Sequence, residues 1–178
     1  RESFDHVRLC LILQCRHRQG RIRVSRILAS YCNNYRRKKP DVRRGVTPEL
    51  LDTHHENGWS ARQIIHHLAD SEAQSYARLR RLVAEPEGSI IQGYDEGLWA
   101  ECVKLGYRDA PVENSIAVFA AVRAGSLDVI KRLEESDLLK FGEHTESGTF
   151  TIEKWLTGYT NHPKDHGDQL IRATKGQE

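Results

Sequence analysis

Residues 58–72 read GWSARQIIHHLADSE, and this stretch decides the fold class. Ser60 followed three residues later by Gln63 forms a capping box, which predicts that a helix begins at Ser60. Apolar residues then recur at helical spacing from Ile64 to Leu82. This period is typical of a helix with one face against a core.

Two further amphipathic helices are predicted downstream. The first helix ends just before Pro86, because the residue before a proline avoids the helical conformation. A second helix covers 111–133, with Pro111 in its first turn, and a third covers 151–170, with Thr151 as its N-cap. Strand signals are sparse, so the expected class is all-α.

Three helices with one apolar stripe each do not close a core, whereas a fourth helix within residues 5–38 would complete a four-helix bundle. We therefore divide the chain into a basic N-terminal segment, residues 1–45, which contributes the first helix, and a helical bundle, residues 46–178. If the fourth helix is counted as helix 1 of the bundle, a loop of about 25 residues separates helices 2 and 3, and loops this long are usually functional or disordered. It carries Tyr94-Asp95-Glu96 and Trp99, which we expect to cover one end of the bundle.

The whole chain of 178 residues carries a net charge of +2, which conceals a charge of +10 on residues 1–45 and −8 on the rest. No nucleic-acid reading motif accompanies the basic segment, so we do not expect nucleic-acid binding. With 38% hydrophobic residues and no apolar run of bilayer length, we expect a soluble domain that does not bind membranes. The four cysteines lack CxxC spacing, which predicts a reducing, cytoplasmic location.

The histidines carry the functional signal. His162 and His166 are four residues apart and therefore share one helix face, as two ligands of one metal ion do. His67 lies on the apolar stripe of the first predicted helix, whereas His66 lies on its flank, at the rim or bonded to Asp70. A single inward histidine is more often an ordinary hydrogen-bonded core residue. Three of them on two helices indicate a metal site with open coordination positions.

Three segments resemble the DinB/YfiT-like superfamily of metal-binding four-helix bundles: 58–72, then EPEGSIIQGYDEGLWAE at 85–101, then GYTNHPKDH at 158–166. The resemblance spans residues 46–172. It implies a bundle of up-down-down-up topology with a long loop between helices 2 and 3. It also implies a three-histidine site for a divalent metal ion, zinc or nickel, with His67, His162 and His166 as its ligands.

The resemblance further implies a metal-dependent hydrolase or a thiol S-transferase acting on a small molecule, with a low-molecular-weight thiol as co-substrate in the second case. It also implies a homodimer. Nearby polar side chains that could act as base or orienting group are Asp70, Glu72 and His144. The alternatives are a bundle that binds a metal or ligand without turnover, with Glu72 as a fourth ligand, and an interaction module that uses the basic segment.

Pro163 departs from the family pattern, because a small or basic residue usually follows the first histidine of the pair. Proline lacks an N–H and disfavours helical backbone in the residue before it. We therefore expect a kink or a helix restart at His162, which would alter or abolish the metal geometry.

Overall fold

The computed structural model describes residues 47–177. The basic segment and the helix expected within it lie outside the described residues. The helices are α1 (Pro48–Asp52), α2 (Ala61–Ala84), α3 (Glu96–Glu101), α4 (Glu113–Ile130) and α5 (Ile152–Ala173), with 3₁₀ helices at Val103–Leu105 and Glu135–Leu139. The strands are β1 (Ile90–Ile91), β2 (Phe141–His144) and β3 (Gly148–Thr151). Within this range, none of the helices has the length and hydropathy that a bilayer crossing requires.

The capping box at the start of α2 is confirmed. The Ser60 hydroxyl accepts a hydrogen bond from the Gln63 backbone N–H at 3.2 Å, and the Gln63 side chain accepts one from the Ser60 N–H at 3.0 Å. The other end is also as predicted, since Glu85 caps the helix in an extended conformation ahead of Pro86. Local sequence therefore determines both ends of the central helix.

The α4 prediction was too long at both ends, whereas the start of α5 is confirmed. Helix α4 begins after Val112 and ends at Ile130, so Pro111 and Leu133 lie outside it. At its C-terminus the Leu133 N–H bonds to the Ile130 carbonyl, a tight i→i+3 turn that terminates the α-helix. Thr151 caps α5, accepting a hydrogen bond from the Lys154 N–H at 3.1 Å.

The structure contains a small three-stranded sheet that was not predicted from the sequence. Strand β1 pairs in parallel with β2, and β2 pairs antiparallel with β3, so the long loop after α2 is joined to the hairpin before α5. Strands of two to four residues are too short to show period-two alternation. Gly142 makes the junction possible, because a Cβ there would lie 2.6 Å from the Ser89 carbonyl oxygen.

Helix α2 is central to the described fold, since it packs against both α4 and α5. The core beneath the sheet contains side chains from α2, α4, α5 and β1: Leu79, Leu82, Ile91, Ile130, Ile152, Trp155 and Leu156. The Trp155 indole N–H donates to the Ser75 carbonyl at 3.0 Å, which ties α5 to α2. The mostly helical class is as predicted.

Truncation of a side chain in this core should destabilise the fold. Leu79 is fully buried, so we expect Leu79→Ala to lower the free energy of unfolding by about 2–5 kcal/mol in urea titrations. Val118 on α4 is 43% exposed, and Val118→Ala should change stability by less than about 0.5 kcal/mol. Equal losses in the free energy of unfolding for Leu79→Ala and Val118→Ala would contradict the placement of Leu79 in the core.

Candidate metal centre

The three histidines expected to bind a metal converge on one point. His67 comes from the first half of α2, and His162 and His166 come from adjacent turns of α5. Each offers one ring nitrogen, and these three nitrogens all lie within 4.8 Å of one another. The His67 Nε2 and His162 Nε2 atoms are 3.2 Å apart. His67 is fully buried, while the two α5 histidines are half-buried.

The spacing and chemistry of these nitrogens fit a divalent ion. Two nitrogens at about 2.0–2.1 Å from one ion lie about 2.9–3.4 Å apart at octahedral or tetrahedral angles. The observed 3.2 Å between His67 and His162 lies inside that range. His166 donates its Nδ1–H to the Gln169 side-chain oxygen at 2.7 Å, which leaves the lone pair of Nε2 free for the cluster. The arrangement is therefore that of three ligands, one with its tautomer fixed.

Burial keeps the imidazoles of His67 and His162 uncharged. Burial, with a smaller contribution from repulsion by His166, lowers the pKa of His67 to about 4 and that of His162 to about 3. A neutral imidazole has a lone pair to donate, whereas a protonated one has none. At neutral pH the site is therefore set up to bind a cation.

Pro163 does not interrupt α5, so the expected helix restart at His162 is wrong. The helix is continuous from Ile152 to Ala173 with Pro163 inside it. Because proline has no N–H, the carbonyl of Tyr159, four residues earlier, loses its usual helical partner. The Arg123 guanidinium from α4 donates to that carbonyl at 2.9 Å. A side chain thus replaces the backbone hydrogen bond that proline removes, beside the metal centre.

Glu72 holds this arginine in place. Its carboxylate accepts a hydrogen bond from Arg123 at 2.7 Å, and both side chains are almost completely buried. Glu72 is also the predicted candidate for a catalytic group or a fourth ligand, but its carboxylate is not part of the histidine group. The structure places it in a buried ion pair that links α2 to α4.

Asp70 and His66 do not form the hydrogen bond that was one of the two expectations for His66. The Asp70 carboxylate accepts a hydrogen bond from the Tyr107 hydroxyl at 2.7 Å. His66 is buried, within hydrogen-bond distance of the Ser115 hydroxyl, at 2.8 Å, and the Ala110 carbonyl, at 3.2 Å. These contacts tie α2 to the segment before and at the start of α4. Asp70 and His66 therefore form their hydrogen bonds with that segment and not with the metal ligands.

His144, the third catalytic candidate, ends strand β2. Its Nδ1 accepts a hydrogen bond from the Glu146 N–H at 3.2 Å, and its ring lies 5.5 Å from that of Phe150. Burial lowers its pKa, with Arg78 adding a repulsive contribution. These contacts belong to the hairpin, and His144 is not part of the histidine group.

The long loop brings the carboxylate of Glu96 close to the histidine centre. From the sequence we expected this loop only to cover one end of the bundle. Asp95 caps α3 by accepting a hydrogen bond from the Leu98 N–H at 2.8 Å, and the Tyr94 and Trp99 rings pack 4.5 Å apart. Glu96 Oε2 then lies 3.9 Å from His67 Nε2. The acidic Asp95-Glu96 pair at a helix start was visible in the sequence, but its distance from His67 was not.

A family model described as the DinB superfamily matches residues 41–170, which is most of the chain. The chain belongs to the DinB superfamily. The resemblance drawn from its three segments is thereby confirmed.

Individual relatives of this DinB-superfamily chain agree. A protein of Oceanobacillus iheyensis named "Putative metal-dependent hydrolase" is 36% identical over 131 residues, which cover 73% of this chain and 74% of that protein. A second, from Halalkalibacterium halodurans and with the same description, is 26% identical over 130 residues, covering 71% and 74%.

The solved structure of YfiT from Bacillus subtilis superposes with a TM-score of 0.67 at 24% identity, covering 92% of this chain and 94% of that one. It is described as "a probable metal-dependent hydrolase with an unusual four-helix bundle topology". This likeness confirms the predicted bundle class.

The metal-free protein should lose stability as the pH falls from about 6.5 to about 5. Over that range His67 and His162 take up protons in the unfolded chain, where their pKa is ordinary, but not in the folded protein, where it is about 4 and about 3. Urea titrations across this range measure how steeply the free energy of unfolding changes with pH. The His67→Gln substitution should reduce this dependence. A free energy of unfolding that stays constant or rises on acidification would contradict the burial of neutral imidazoles.

The link between Arg123 and Pro163 can be measured in a double-mutant cycle. Arg123→Met should cost about 3–5 kcal/mol, because it leaves the Glu72 charge buried. In a Pro163→Ala background the loss should be smaller by about 1 kcal/mol, since position 163 then supplies an N–H to the Tyr159 carbonyl. The exposed Arg81→Met change should show no such coupling. Equal losses for Arg123→Met in both backgrounds would show that Arg123 does not compensate for the proline.

Proposed function

We propose that this protein is a metal-dependent enzyme, a hydrolase or a thiol S-transferase, that acts on a small molecule through His67, His162 and His166. The observation that carries the proposal is the convergence of three ring nitrogens within 4.8 Å. Among residues 47–177, no cysteine or carboxylate belongs to that group. A three-ligand site leaves coordination positions for a nucleophile or substrate, as catalytic sites do.

Zinc or nickel is the ion that we propose, because imidazole nitrogens suit both. When bound, such an ion supplies Lewis-acid chemistry and lowers the pKa of a water or thiol that it coordinates. The protein's own contribution is positional. Gln169 fixes the tautomer of His166 through its 2.7 Å hydrogen bond, and the buried pair of Glu72 and Arg123 holds α2 and α5 in register at the centre.

Hydrolysis and thiol transfer share one requirement, a nucleophile that loses a proton beside an electrophilic carbon. The names of the curated relatives support hydrolysis. Transfer from a low-molecular-weight thiol remains the second form of the same proposal, since a divalent ion also stabilises a thiolate.

A bundle that binds metal without turnover is the competing function. A storage or structural role predicts a fourth protein ligand that closes the coordination sphere. Glu72 was the candidate for that ligand, and its carboxylate is paired with Arg123 instead. This contact favours a catalytic role over a storage or structural one. An interaction module that uses the basic segment would depend on residues outside the described part of the chain.

Metal analysis of protein purified without an affinity tag tests the proposal. We expect one zinc or nickel ion per chain, with at least a tenfold loss of affinity in each of His67→Ala, His162→Ala and His166→Ala. His66→Gln is the matched control, since His66 is buried on the same helix but contacts Ser115 and Ala110. It should retain the full metal content.

Unchanged metal content in the three alanine variants would refute the ligand assignment. A chelator should also lower the melting temperature of the wild-type protein, because an ion that binds only the folded state stabilises it. The same chelator should have no effect on His67→Ala.

A further inference from the structure

Among residues 47–177, Glu96 is the carboxylate that forms a close contact with a histidine of the centre. Its Oε2 atom lies 3.9 Å from Nε2 of His67, the nitrogen that also faces His162. The Glu96 side chain is half exposed, so it faces both the fully buried His67 and solvent. Glu72, a carboxylate on α2, is instead buried in its ion pair with Arg123.

The geometry places Glu96 next to the ligand group but outside it. A carboxylate that shared an ion with the three histidines would lie within 4.8 Å of all three nitrogens, and Glu96 is not in that set. Nor does 3.9 Å allow a hydrogen bond to His67. A group at this range can contact a molecule that occupies an open position of the site, rather than the ion itself.

The position of Glu96 is fixed by the fold of the long loop. Glu96 is the first residue of α3, whose start is capped by Asp95. Helix α3 packs against α2, which carries His67. Two residues before Glu96, Tyr94 packs on Trp99 within the same segment. The loop thus holds the Glu96 carboxylate beside His67 on a short, capped helix.

Building on the proposed function, we infer that Glu96 is the proton acceptor for the nucleophile that this site activates. One O–H or S–H bond of the nucleophile breaks, its proton passes to Glu96 Oε2, and the electron pair stays on oxygen or sulfur. That atom forms the new bond to the electrophilic carbon. The leaving group departs with its own bonding pair and takes the proton back from Glu96. General-base assistance of this kind contributes about 10²–10⁴-fold.

The experiment uses Co²⁺-loaded protein and 2-mercaptoethanol as the probe nucleophile. Thiolate binding to cobalt produces a charge-transfer absorption, so stopped-flow mixing at pH 7 gives the rate at which the thiol loses its proton and binds. Glu96→Gln should slow this rate at least tenfold. The control, Glu101→Gln, changes an exposed carboxylate at the other end of α3 that pairs with Arg108, and it should leave the rate within twofold.

The sign of the effect separates proton transfer from a purely electrostatic role. Removal of a negative charge by itself would favour thiolate entry and speed binding. A rate in Glu96→Gln that is unchanged or faster therefore overturns the inference. So does a loss of Co²⁺ affinity greater than tenfold, because Glu96 would then be a ligand. If wild-type protein fails to bind Co²⁺, the proposed function itself fails, which is a separate outcome.

Discussion

The histidine centre depends on one buried guanidinium. Arg123 reaches from α4 between the other two long helices, pairs with Glu72 on α2 and donates to the Tyr159 carbonyl on α5. That carbonyl lacks its helical N–H because residue 163 is proline. Burying an ion pair is costly unless both partners stay bonded, so removal of either Arg123 or Glu72 would leave an uncompensated charge inside the fold. It sets α5 against α2 at the level where their histidines meet.

The second constraint comes from the long loop and its small sheet. Strand β1 pairs with β2, so the segment that carries α3 is anchored to the hairpin that precedes α5. Gly142 allows the close approach of the Ser89 carbonyl that this pairing needs. As a result, a segment distant in sequence from the histidines brings Glu96 to within 3.9 Å of His67. The loop that we expect to cover one end of the bundle therefore also carries the proposed acid–base group, Glu96.

Much of the scaffold could be predicted from the sequence, because it is encoded locally. The capping box at Ser60 and the proline after Glu85 gave both ends of α2. Helical periodicity placed His67, rather than His66, towards the centre, and the structure brings it to within 4.8 Å of His162 and His166. Short strands and the true ends of α4 were missed, since they depend on pairing and packing with distant segments.

The amino-acid sequence by itself determined a helical chain with two histidine-bearing faces, because periodicity and caps involve only neighbouring residues. Tertiary structure alone decided what the polar groups around the centre do. It paired Glu72 with Arg123, kept α5 continuous through Pro163 and brought Glu96 to His67. Each of these contacts joins residues more than 20 positions apart, and no local pattern specifies which distant partner will satisfy a buried charge or an unpaired carbonyl.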